Sequence, residues 1–261
     1  MAEFSGRRLH FVGVGGAGMS GLAIVARELG AEVSGSDQAE SSYTERLREA
    51  GIPFVIGVHS ERNVPPCAEV VYSTAVAPEN PERRAAEGRE LHRADLLAQI
   101  AALRRCLAVT GTHGKTTTAG MVVRALRAAD LDPCYVVGGE LRCTGANAGW
   151  GTGEWIVVEA DESDRSLLKL DPELAVLTNA ELDHHSTYAS LLDLEGTLRE
   201  FMSRARVAVV WDRPRLRSLC PTGAVAYDVP DPELSESGSR FTWHGICLLY
   251  TSPSPRDRQK S

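Results

Sequence analysis

The stretch Val109-Thr110-Gly111-Thr112-His113-Gly114-Lys115-Thr116-Thr117-Thr118 constrains this chain more than any other. It places two glycines, a lysine and a run of hydroxyls directly after the apolar run Cys106-Leu107-Ala108-Val109. That order predicts a buried strand, a tight loop and the start of a helix. A loop of this kind aims several backbone N–H groups at one spot, and a helix N-terminus adds partial positive charge. Lys115 adds a full charge, and Thr116 offers a hydroxyl of the kind that holds Mg²⁺ beside phosphates. The segment therefore predicts a triphosphate cradle built from Gly111, Thr112, His113, Gly114, Lys115, Thr116 and Thr117. It departs from the strict phosphate-loop pattern, which has a glycine where Val109 stands. An ordinary glycine-rich turn is the alternative reading.

A second glycine loop lies near the N-terminus. Gly13-x-Gly15-Gly16-x-Gly18 follows the apolar run at 9–14 and opens a helical pattern at 19–29. Glycines there let the backbone approach a diphosphate seated on the helix N-terminus. Asp37 follows about 20 residues on, at the end of the next strand, where a ribose is usually read. Alone, this points to NAD and an oxidoreductase. Two phosphate loops in tandem point elsewhere: a dehydrogenase has no use for a second site built around a lysine, whereas a ligase needs ATP and a second nucleotide-bearing substrate.

The rest of the pattern is strand–helix alternation. Strands are expected at 32–35, 53–56 and 69–72, with helices at 43–50 (stopped by Gly51) and 91–103. Beyond Arg105 come a helix at 115–129, strands at 155–158, 174–177 and 207–210, and a helix at 189–202. Such alternation means parallel sheets with crossover helices. The expected fold is α/β: a Rossmann-like parallel-sheet domain over 1–104, then a P-loop-type α/β ATPase domain over 105–245, incomplete. Residues 246–261 share no pattern with what precedes them and are expected to be a non-native or disordered tail. The net charge of −7 argues against a nucleic-acid or membrane-surface partner. No apolar run reaches the ~20 residues of a membrane span, and 1–8 lacks the apolar region of a signal peptide. The six cysteines form no C-x-x-C pair, and several sit in apolar runs, which predicts reduced thiols and a cytoplasmic setting.

Two further clusters follow strands and so belong at their carboxyl ends, where ligands of open α/β sheets gather. The first is Glu159-Ala160-Asp161-Glu162-Ser163-Asp164. A carboxylate facing a triphosphate is repelled unless a cation intervenes, so Glu159 with Thr116 predicts a Mg²⁺ (or Mn²⁺) site. The second is Thr178-Asn179-Ala180-Glu181-Leu182-Asp183-His184-His185. A histidine there can ligate a second metal or orient a phosphate, and only one of two adjacent histidines faces any given site.

Taken together, Gly13-Val14-Gly15-Gly16-Ala17-Gly18-Met19-Ser20-Gly21, the 111–118 loop, the 159–164 cluster and Asp183-His184 resemble the Mur ligases of peptidoglycan synthesis, in order and spacing, from about residue 9 to about residue 211. The branch that joins L-alanine to UDP-N-acetylmuramate is most similar; the branch that joins a ready-made peptide to the same sugar shares these motifs. The resemblance implies an N-terminal domain for the UDP-sugar, a central ATPase domain, and a C-terminal domain expected to lie beyond this chain, which is then an inactive fragment. It implies a cytoplasmic, ATP-dependent, amide-forming ligase that serves cell-wall biogenesis, cell shape and division. It further implies that Lys115 contacts the β- and γ-phosphates, that Thr116 and Glu159 hold Mg²⁺, and that His184 binds a second metal or the transferring phosphate. Gly13, Gly15, Gly16, Gly18, Met19, Ser20 and Asp37, with Ser73 and Asn80 of the 73–82 loop and Asn147, would bind the UDP-sugar. One departure stands out: the family follows Asp-His with an apolar residue and an aspartate, where this chain has His185 and Ser186.

Overall fold

Strands whose side chains are apolar on both faces need cover on both faces, and parallel pairing with crossover helices supplies it. A computed structural model of the chain describes residues 3–182, 187–228, 233–235, 238–243 and 246–250. The first unit runs β1 (Arg8–Val12), α1 (Ala17–Glu28), β2 (Glu32–Asp37), α2 (Ser42–Glu49), β3 (Phe54–Ile56), β4 (Glu69–Tyr72), α3 (Pro81–Arg84), β5 (Glu90–His92) and α4 (Arg93–Ala101). Its five strands are all parallel, in the order β3-β2-β1-β4-β5. The order reverses between β1 and β4, which opens a crevice beyond the end of β1, where the first glycine loop lies.

The second unit runs β6 (Arg105–Thr110), α5 (Lys115–Ala128), β7 (Cys134–Leu141), β8 (Ala146–Gly149), β9 (Trp155–Glu159), β10 (Leu174–Leu177), α6 (Leu191–Arg204), β11 (Val207–Trp211), α7 (Pro214–Arg217) and β12 (Val225–Tyr227). Its seven strands lie in the order β12-β11-β10-β6-β9-β7-β8, parallel except for β8. The chain passes from one sheet to the other at 102–104. A last antiparallel sheet joins β13 (Glu233–Ser235), β14 (Gly238–Trp243) and β15 (Ile246–Tyr250). Residues 246–250, expected in a patternless tail, thus pair as a strand; 251–261 lie outside the described residues.

The two large sheets share one apolar core. It runs from Leu9, Phe11 and Leu22 of the first unit to Ala108, Ile156 and Leu177 of the second, with α1 lying against β7 and β8. Asn147 on β8 stitches that seam. It is fully buried, and its amide donates to the Ala17 carbonyl at 2.5 Å and to Ser20 Oγ at 3.2 Å. The sequence pattern missed β5, β7, β8 and β12 to β14. Residues 90–92 were expected to begin or flank a helix, but pairing with β4 holds them extended, and the His92 side chain caps α4 by accepting the Ala94 N–H.

A cluster of polar groups lies deep in the first unit, around Glu82. The Glu82 carboxylate is wholly buried and gathers His10 Nε2 at 3.3 Å, the Ser36 hydroxyl and Asn63 Nδ2 at 2.7 Å. Burial alone would raise its pKa; the hydrogen bonds from His10, Ser36 and Asn63 outweigh it and hold the pKa at about 2, from 4.5. A carboxyl depressed in the folded state contributes stability above its unfolded pKa and loses it as pH falls through the folded one. We therefore expect stability to fall between pH 4.5 and about 2, by roughly 3 kcal/mol from this group. Glu82→Gln should flatten that part of a urea-melt pH profile and lower stability at pH 7.

Candidate functional site

The phosphate loop is shaped by groups that follow β10, the neighbour of β6. Thr178 Oγ1 donates to the His113 carbonyl at 2.8 Å and Asn179 Nδ2 to the same oxygen at 2.8 Å, while Asn179 Oδ1 accepts the His113 N–H at 2.9 Å. Thr112 Oγ1 donates to the Glu181 carbonyl at 2.8 Å and accepts the Glu181 N–H at 3.0 Å. The loop turns at Gly111 (φ +126°) and Gly114 (φ +80°), and Gly114 caps α5 with no side chain across the helix end. The first-turn N–H groups of α5 thus face outward as anion donors.

Lys115 is the first residue of α5. Its ammonium sits 2.9 and 3.0 Å from the two oxygens of Glu162, a wholly buried carboxylate, and donates to the Gly111 carbonyl at 2.8 Å. This pairing holds the lysine stem over the loop. Glu159 ends β9 beside the loop. It accepts the Gly138 N–H of β7 at 2.7 Å. Burial pushes its carboxyl up, against hydrogen bonds from Gly138 and Thr116 and the charge of Lys115. The donors here are a carboxylate and a hydroxyl, hard oxygens of the kind Mg²⁺ takes. With Lys115 committed to Glu162, a cation at Glu159 would offset the desolvation that the carboxylate now carries. Thr116 and Glu159 fit such an ion. Asp183, His184, His185 and Ser186 lie outside the described residues, so the expected role of His184 lies outside them too.

The first glycine loop turns back on β2. Gly13 (φ +76°) and Val14 donate their N–H groups to the Ser36 carbonyl at 2.8 and 3.0 Å. Gly16 caps α1 with no side-chain bond, leaving an open helix N-terminus like that of α5. Asp37, expected at a ribose, accepts the Gly15 N–H at 2.7 Å and braces the loop itself. Other expected sugar contacts are engaged inside the fold: Met19 is packed in the core, Ser20 donates to the Ala17 carbonyl at 3.0 Å, and Asn147 bonds both Ala17 and Ser20. Their side chains are buried because the second unit closes on α1 at this point. Asn80 caps α3 by accepting the Glu82 N–H at 2.9 Å, and Ser73 is half-buried at the end of β4.

The two loops meet. A cavity of about 240 Å³ is lined by Ala17 and Gly18 at the start of α1, by Arg93 of α4, and by Lys115, Glu159 and Asp161 of the second unit. A more open cavity of about 900 Å³ lies at the opposite, amino ends of β6, β9 and β10, around Arg105, Glu154 and Glu173, away from both loops. Sequence reasoning missed three groups of the site: Glu162 as the partner of Lys115, Thr178 with Asn179 as the shapers of the loop, and Arg93. The first two lie inside clusters the sequence did flag; nothing in the sequence pattern marks Arg93.

Comparisons with known proteins cover the same ground. Residues 8–105 match the Mur ligase family catalytic domain, and 109–222 the Mur ligase middle domain. The UDP-N-acetylmuramate–L-alanine ligase of Bordetella pertussis is 50% identical over 202 residues, which are 76% of this chain and 43% of that protein. That of Rubrobacter xylanophilus is 45% identical over 259 residues, 95% of this chain and 57% of that protein. The crystal structure of the UDP-N-acetylmuramate–alanine ligase of Thermotoga maritima superposes with a TM-score of 0.84 at 27% identity, covering 96% of this chain and 62% of that one. The chain thus spans about half the length of the curated relatives it matches. Two open helix ends facing one cavity, and two domain models matched in tandem along the residues that build it, lead to one assignment: the chain belongs to the Mur ligase family.

Proposed function

We propose that this chain carries the nucleotide and UDP-sugar sites of a ligase that joins L-alanine to the lactyl carboxylate of UDP-N-acetylmuramate at the expense of ATP. The observation that carries the reading is the shared cavity, which puts the open N-terminus of α1 and Lys115 on one space. A diphosphate on α1 and a triphosphate on α5 then bring the sugar acid toward the γ-phosphate. The carboxylate attacks that phosphorus, ADP leaves, and an acyl phosphate forms; the L-alanine amine attacks its carbonyl and phosphate departs. Charge builds on phosphoryl oxygens in the first step and on a tetrahedral oxygen in the second, and fixed N–H donors and cations stabilise both.

In this reading the N–H groups of Gly114, Lys115 and Thr116 hold the phosphates, and Lys115 reaches the β- and γ-oxygens. Thr116 and Glu159 would hold Mg²⁺, which would supply positive charge against the phosphates. Gly138 keeps the Glu159 carboxylate aimed at the loop. The first loop takes a UDP-sugar rather than NAD in this reading because the space before it is shared with Lys115 and Glu159 of the second phosphate loop, a site that a dehydrogenase has no use for.

Calorimetric titration tests this. The chain should bind UDP-N-acetylmuramate and the magnesium complex of a non-hydrolysable ATP analogue at separate sites, and NAD far more weakly. Glu159→Gln should reduce the gain in analogue affinity on adding Mg²⁺ by about tenfold, leaving metal-free binding unchanged. Tight NAD binding that UDP-N-acetylmuramate does not displace would favour the oxidoreductase reading instead.

A further inference from the structure

We propose that Arg93 is a positioning residue that couples the two anion pockets, exchanging Asp161 and Asp164 for the diphosphate of the sugar nucleotide. The proposal rests on the ligand assignment above and deepens it. Arg93 opens α4 in the first unit, yet its side chain reaches the loop after β9 in the second. Its Nη2 lies 3.3 Å from Asp161 Oδ2 and 3.6 Å from Asp164 Oδ2. Its Nη1 would stand 3.3 Å from a Cβ placed on Gly18, so the guanidinium lies over the first turn of α1, where a diphosphate seats. Among the described residues that line the shared cavity, Arg93 and Lys115 are the cations, and Lys115 is held by Glu162.

The present pairing leaves both sides incompletely satisfied. Arg93 Nε and Asp164 Oδ2 are buried without a hydrogen-bond partner, and at 3.6 Å the second contact is ionic only. Buried groups left in that state are expensive. A diphosphate on α1 offers the guanidinium a paired set of charged acceptors in fork geometry, which is the stronger arrangement.

The exchange has a consequence across the seam. When Arg93 turns to the diphosphate, Asp161 and Asp164 lose their counter-charge. Asp161 lies on the cavity wall beside Glu159, and its ionised form also feels Lys115. An acidic wall without its arginine attracts a cation-bearing nucleotide more strongly. Binding of either ligand therefore favours binding of the other, and the linkage must be reciprocal. Gly18 is part of the device: any side chain there would press on the guanidinium.

The test titrates the full chain with UDP-N-acetylmuramate, with and without the magnesium complex of the ATP analogue. In the unaltered chain each ligand should tighten the other about five- to fiftyfold. Arg93→Ala should weaken UDP-N-acetylmuramate about ten- to hundredfold, tighten the magnesium complex of the analogue alone severalfold because Asp161 and Asp164 have lost their counter-charge, and bring the coupling factor to one. Arg93→Lys should restore part of the affinity but little of the coupling, since an ammonium lacks the fork. Asp161→Asn frees the arginine beforehand and should tighten UDP-N-acetylmuramate severalfold in the absence of nucleotide, a gain that no merely structural bridge predicts. Unchanged sugar-nucleotide affinity in Arg93→Ala overturns the proposal. So does equal weakening of both ligands with a lowered melting temperature, or weaker binding in Asp161→Asn. Failure of the unaltered chain to bind UDP-N-acetylmuramate overturns the ligand assignment itself, and the coupling with it.

Discussion

Lys115→Ala should destabilise the chain by about 3–5 kcal/mol before any nucleotide is added. The reason lies in what the lysine leaves behind. Glu162 is wholly buried, and both of its oxygens lie within 3.0 Å of Lys115 Nζ. A buried carboxylate that loses the ammonium facing both of its oxygens bears a desolvation cost that the loop must absorb, whereas removing both charges together is close to neutral. The double variant Lys115→Ala/Glu162→Gln should therefore recover most of the lost stability in urea melts at pH 7. It should still fail to bind the ATP analogue, because the cation that meets the β- and γ-phosphates is gone. Comparing the two variants separates the lysine's part in holding the loop from its part in holding the ligand. If the double variant binds the analogue as well as the unaltered chain, Lys115 is a structural residue and the phosphate-loop assignment falls.

Much of this site was legible because its chemistry is carried by short contiguous segments. Strand–loop–helix order around Gly111–Lys115 and around Gly13–Gly18 can be read along the chain, since apolar runs and glycines mark where a strand ends and a helix begins. The strands β9 and β10 are short but almost wholly apolar, and declare themselves. β7 does not: its Gly138-Gly139 pair interrupts the pattern, and β8 is Ala-Asn-Ala-Gly, with no β-branched residue. Yet the glycines of β7 serve the site. A Cβ on Gly138 would stand 2.9 Å from Glu159 Oε2, and one on Gly139 3.2 Å from Thr116 Cγ2. The strand gives up its own propensity so that both groups can lie against it, a trade that shows only when three separated segments are seen together. Arg93 was illegible for the same reason, since its partners Asp161 and Asp164 are some 70 residues away. Asp37 was expected at a ribose from its distance to the first glycine loop, and Ser20, Asn80 and Asn147 from the family resemblance; neither signal shows what else in the fold each side chain bonds. Each was found already bonded to the fold.

The loop's shape makes one more large effect predictable. Gly111→Ala should cost about 3–5 kcal/mol and abolish binding of the ATP analogue, combining backbone strain with overpacking. At φ +126° a side chain is strained whatever space surrounds it, and here there is none. The new Cβ would overlap Thr178 Oγ1 outright and stand 2.8 and 2.9 Å from the Asn179 carbonyl oxygen and nitrogen. Thr178 and Asn179 are the groups that pin the His113 peptide, so yielding room to the methyl means releasing the loop they shape. Removing the hydroxyl does not rescue it: Thr178→Ala combined with Gly111→Ala relieves one overlap but leaves the backbone contact and the strain. Gly114→Ala provides the contrast. Its φ is also positive, at +80°, but a Cβ there meets nothing within 4 Å, so only strain of about 1 kcal/mol applies. Thermal melts should rank Gly111→Ala well below Gly114→Ala. The reverse order would mean that the packing of the 178–181 segment against the loop does not hold the anion donors in place, and the source of the loop's shape would have to be sought in α5 instead.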